Sequence, residues 1–184
     1  MKRKMFRWLG AMVLMFAASI GAQGQNSRDV HLSGLINDYT PKTVNPTGTW
    51  EVRGEWSMAV RGNSGKADFS ATLTMVRSDY WVITLGDPDD PQSRTPHTHH
   101  VSLSNGDVTT TDHGFRVTGM ATITASGNPA GFSPSMLTID VTGGSSVPYS
   151  NIQLTFDTPA SGHFGTQPLD GVVRRSPDGD NQHR

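Results

Sequence analysis

Trp50-Glu51-Val52-Arg53-Gly54-Glu55-Trp56-Ser57-Met58-Ala59-Val60-Arg61 sets Trp50, Val52, Trp56, Met58 and Val60 against Glu51, Arg53, Glu55, Ser57 and Arg61. A period of two belongs to a β-strand with one face buried and the other in water. Phe69, Ala71, Leu73 and Met75 alternate with Ser70, Thr72 and Thr74 in the same way, and Phe115, Val117, Ala121 and Ile123 with Arg116, Thr118, Thr122 and Thr124. The pattern predicts further strands over 30–36, 81–85, 98–103, 136–141 and 152–156 and around Val172. Gly, Pro, Asn and Asp punctuate the gaps, and no window carries a helical stripe. The chain reads as all-β.

Two stretches echo one another. Trp50-x-Val52-x-Gly54 through Gly62-Asn63 aligns with Phe115-x-Val117-x-Gly119 through Gly127-Asn128, and Phe69-Ser70 to Met75 with Phe132-Ser133 to Ile139. The offset of about 65 residues suits a duplicated unit of four or five strands packed about a pseudo-twofold axis. Shared alternation and Gly-Asn turns explain the echo equally well. Long strands with a single apolar face predict a single-domain antiparallel β-barrel, with a two-sheet β-sandwich as the alternative. Gly54, Gly119 and Ala121 on the inward face ease tight bends or leave room for a ligand.

The ends of the chain read differently from its middle. Lys2, Arg3, Lys4 and Arg7 precede an apolar run from Leu9 to Ile20, and Ala22-Gln23-Gly24 offers small residues at both cleavage positions. Residues 1–24 are expected to be a signal peptide, residues 25–173 the barrel domain, and 174–184, rich in Pro, Gly, Asp and Asn, a disordered tail. The expected location is the periplasm or the secreted fraction, with no membrane insertion after cleavage. The 184-residue chain has 15 basic and 16 acidic side chains, and loss of the leader's four cations leaves a net charge of -5. That balance argues against a nucleic-acid partner. With no Cys, disulfides, thiolate-bound zinc and thiol catalysis are excluded.

The chemically pointed segment is Pro96-His97-Thr98-His99-His100-Val101-Ser102-Leu103. Alternation puts His97 and His99 on the inward face with Val101 and Leu103, and turns His100 outward. Same-face neighbours on a strand are about 7 Å apart, close enough for two imidazoles to share an ion. Asn105-Gly106 predicts a two-residue hairpin turn, and that register brings Asp112 opposite His99. A parity conflict with Phe115 and Val117 then asks for a bulge at Asp112-His113-Gly114, which would aim His113 inward or along the rim. His163, in Ser161-Gly162-His163-Phe164-Gly165, follows the last strong strand much as the cluster follows the first half.

His97, His99, Asp112, His113 and His163 are therefore the candidate metal ligands, and imidazoles without thiolate suit zinc or copper better than Ca²⁺ or Mg²⁺. The competing reading is a polar strand whose histidines are solvated or hydrogen-bonded. Asp87-Pro88-Asp89-Asp90-Pro91 lacks the Gly and distal Glu of a calcium loop. Glu51 and Glu55 have outward parity with Arg53 between them, and no G-x-S-x-G, H-E-x-x-H, phosphate-loop or dinucleotide fingerprint is present. Trp50, Trp56, Phe69, Trp81 and Phe115 are expected to build the core, or else to line a barrel mouth. Three function classes follow: a histidine metal site in a binder or enzyme, a metal-free barrel for a small hydrophobic or aromatic ligand, and a structural envelope module.

Overall fold

Antiparallel pairing of each strand with the next turns the alternation in sequence into an inside and an outside. The computed structural model describes residues 29–41, 49–77, 96–126, 132–144 and 147–174. Its strands are β1 (Val30–Tyr39), β2 (Trp50–Arg61), β3 (Lys66–Arg77), β4 (His97–Thr111), β5 (Gly114–Ser126), β6 (Phe132–Thr142), β7 (Asn151–Phe156) and β8 (Leu169–Arg174). A one-turn helix, α1 (Ser161–Phe164), lies between β7 and β8. Pairing of β8 with β1, Ile36 opposite Gly171 and Gly34 opposite Val173, closes the eight strands into an antiparallel barrel rather than a sandwich. The predicted strand over 81–85, the acidic run over 87–91, the leader and the tail beyond Arg174 lie outside the described residues.

Inward positions hold the core. Val52, Leu73, Val117, Leu137, Ile139, Ile152 and Leu154 are fully buried, and Trp56 and Phe69 stack with ring centroids 6.3 Å apart. Outward positions carry charges in pairs: Arg116 with Asp140 at 2.7 Å, Arg61 with Asp68 at 2.8 Å, and Arg53 with its strand neighbour Glu51. Each exposed pair contributes little stability, about 0–1 kcal/mol. Their role in the fold is to specify register, since a one-residue slip would drive charges inside and apolar side chains out. The two echoing stretches fall on β2–β3 and β5–β6. These hairpins are three strands apart, so they run in opposite directions along the barrel.

Asn105-Gly106 does not form the expected hairpin. The strand β4 continues through it to Thr111, and the turn falls at Asp112-His113, with Thr111 paired to Gly114. Thr110 then faces Phe115 and Val108 faces Val117, which removes the parity conflict without a bulge at that corner. The extra residue sits at Asn105 instead, between the pairs Leu103–Ala121 and Asp107–Thr118. There φ is 58°, a left-handed conformation that Asn adopts more readily than most residues. The carboxylate of Asp68 accepts from the Asn105 backbone N–H at 2.9 Å, and Arg61 donates to both Asp68 and the Asn105 amide oxygen. An Asn-Gly pair thus satisfies a bulge as well as a hairpin, and the Arg61–Asp68 clamp selects the bulge.

At the closing seam the backbone approaches closely. A Cβ on Gly34 would lie 1.9 Å from the Val172 carbonyl oxygen and 2.8 Å from Nε1 of Trp56, the residue opposite it on β2. Gly34→Ala is expected to lower the unfolding free energy by about 2–3 kcal/mol, read as a shifted urea midpoint. An unchanged midpoint would contradict the close seam.

Candidate metal centre

Two of the site's histidines are placed by strand parity alone. On β4 the buried side chains are His97, His99, Val101 and Leu103, while His100 is exposed and its Nδ1 lies 3.2 Å from Thr72 Oγ1 on the outer surface. His99 is fully buried and His97 is 8% exposed. The indole of Trp50 meets the His97 ring edge-on, with centroids 5.1 Å apart. Trp50 is itself fixed at the end of the β1–β2 pair, where its N–H donates to Thr40 Oγ1 and its carbonyl accepts from Thr40 N–H.

The third histidine comes from the turn that caps this end of the barrel. Ala160 N–H donates to Oγ of the buried Ser135 at 3.3 Å, and Ser161 N–H to the Asp157 carbonyl at 3.0 Å, which pins the start of α1. Gly165, with φ at 99°, lets the chain leave after one turn. Phe164 plugs the interior, stacked on Phe156 at 4.6 Å and edge-on to His99 at 5.2 Å. With Phe164 seated, the preceding residue His163 turns toward β4.

The result is a convergence of three imidazole nitrogens. Nε2 of His163 lies 3.1 Å from Nε2 of His97 and 3.0 Å from Nε2 of His99. The rings are canted to one another by 52° to 88°. An imidazole nitrogen bears one proton or one lone pair, so His163 Nε2 can satisfy one of these neighbours by hydrogen bonding but not both. Three nitrogens sharing one ion use all their lone pairs at once. Metal–nitrogen bonds of about 2.0–2.1 Å in a tetrahedron imply nitrogen separations of about 3.3 Å, close to those observed.

Electrostatics keeps His99 and His163 in the ligating form. His99 is pushed down to about 3, by burial first and then by the neighbouring His163 and His97, while a hydrogen bond with the Thr124 backbone works the other way. Burial, then His97, brings His163 down to about 4. Both rings are therefore neutral at pH 7, each with a lone pair to offer.

Asp112 and His113 lie elsewhere. They form the exposed β4–β5 turn at the opposite end of the barrel, roughly 45 Å of strand from His97. The residue opposite His99 on β5 is Ala125, not Asp112, because the Asn105 bulge keeps β4 running. His97, His99 and His163 form a group able to hold a metal ion. Sequence reasoning did not foresee the supports at Trp50, Phe164, Thr40 and Ser135. Trp50 and Phe164 carry no signal beyond core hydrophobicity, and Thr40 and Ser135 show none at all.

The chain matches no family model, no curated protein and no solved structure.

The depressed histidines tie stability to pH. Above about 6.5 they are neutral in both folded and unfolded chains, whereas below it the unfolded chain takes up protons that the folded chain refuses. The metal-free protein should lose stability as pH falls from about 6.5 toward 4, by roughly a few kcal/mol in total. Urea midpoints at pH 7.5 and pH 5 should differ more in the wild type than in His99→Gln or His163→Gln. Equal pH dependence in all three proteins would contradict burial of neutral rings.

Proposed function

We propose that this chain is an exported β-barrel whose function is to bind one zinc or copper ion through Nε2 of His97, His99 and His163. The observation that carries the reading is the meeting of three imidazole nitrogens at one point. The donors sit on two supports, two at the start of β4, paired on both sides, and one on a helix wedged by a buried phenylalanine. Such preorganisation lowers the ordering cost of binding. Imidazoles without thiolate match the borderline character of Zn²⁺ and copper.

Export is supported by the positive start, the apolar run and the small residues at 22–24. Paired charges on the outer face suit a barrel surrounded by water rather than lipid.

Residues 25–184, freed of metal and titrated at neutral pH, should bind one equivalent of Zn²⁺ or Cu²⁺ by calorimetry. Alanine at His97, His99 or His163 should each weaken binding by about 100-fold or more, by analogy with losses seen when metal shells are disturbed. Alanine at Asp112 or His113 should leave it unchanged. Absence of one-to-one binding, or an equal loss on changing His113, would overturn the proposal.

A further inference from the structure

The barrel's inner face places one more metal-ligating side chain beside the histidines. On β3 the buried inward residues run Ala67, Phe69, Ala71, Leu73 and Met75. The β3–β4 register pairs Leu73 with His99 and Met75 with His97. Directly opposed residues on one face of an antiparallel pair have Cβ atoms about 4.5–5.5 Å apart. Met75 is fully buried, so its thioether shares the closed end of the barrel with the imidazoles. Its unbranched side chain has three rotatable bonds to aim the sulfur.

Charge supplies a second, independent argument. Among the described residues the donor group comprises three histidines and no carboxylate or thiolate. A divalent ion bound there would keep its full double charge beside the rings of Trp50 and Phe164, because imidazole and thioether ligands carry none. The cost of burying charge rises steeply with its magnitude, so a largely buried donor set with no anionic ligand favours a monovalent ion. Soft thioether sulfur selects Cu(I) among the biological transition metals.

We propose that Met75 supplies a thioether ligand to the ion held by His97, His99 and His163, which makes this a site for monovalent copper. The proposal rests on the three-histidine reading above and adds the fourth donor and the oxidation state. Met75 is then a ligand as well as a core residue. Met120 and Met136, opposed and exposed on the outer face of β5 and β6, are a methionine pair and the competing place for a soft ion.

The test uses residues 25–184 loaded anaerobically with one equivalent of Cu(I), beside Met75→Leu, which keeps the volume and apolarity of the side chain. X-ray absorption of the wild-type copper complex should show a sulfur neighbour together with nitrogens, and the Met75→Leu complex nitrogens alone. Competition against a chromophoric Cu(I) chelator should show an affinity at least about tenfold weaker in Met75→Leu, with Zn²⁺ affinity unchanged. A nitrogen-only copper shell in the wild type would overturn the role of Met75 and leave the histidine site standing. Sulfur that survives Met75→Leu would move the copper to another methionine and also overturn it. Failure of the wild type to bind Zn²⁺ or Cu(I) would remove both readings together.

Discussion

The pairing of β8 with β1 is the constraint on which the rest of the molecule depends. Closing the sheet removes both edges and gives every inward side chain a place in one shared, finite interior. From that follow the strict alternation along the strands, the glycine at the seam and the paired charges outside. It also follows that any polar side chain at an inward position must find partners inside. Among the described residues the buried polar side chains are Thr40, His97, His99 and Ser135, and His97 and His99 find the part-buried His163.

Their position in the barrel explains their chemistry. They lie at the end capped by α1, where Phe164 and Phe156 seal the interior beneath them and Trp50 covers one flank. Burial there holds His99 and His163 far below the usual histidine range and leaves them neutral. Two imidazoles held neutral by burial are a poor home for a proton and offer their lone pairs to a borderline metal. The 3.0–3.1 Å approaches of His163 Nε2 to His97 and His99 exceed what one imidazole nitrogen can satisfy by hydrogen bonding, which supports the proposed shared ion.

Most of the fold was legible because half-burial writes itself into sequence with a period of two. The inward parity of His97 and His99 and the outward parity of His100 followed from that period alone. The error lay in Asn105-Gly106, whose preference for left-handed backbone fits a bulge and a hairpin equally. Only the long-range clamp of Arg61 and Asp68 distinguishes them, and a clamp from another strand leaves no local trace. That single choice moved Asp112 and His113 to the far end of the barrel. The approach of His163 depends on a one-turn helix seated by Phe164 and Ser135, contacts that span tens of residues and carry no periodicity. Met75 reads as ordinary core until the β3–β4 register sets it beside His97.

The most direct test of the shared-ion claim is nitrogen-15 NMR of the histidine rings during titration of the metal-free protein with Zn²⁺. One equivalent should shift Nε2 of His97, His99 and His163 together into the metal-bound range, while His31, His100 and His113 stay where they were. Saturation with fewer than three shifted rings, or with His113 among them, would contradict the account.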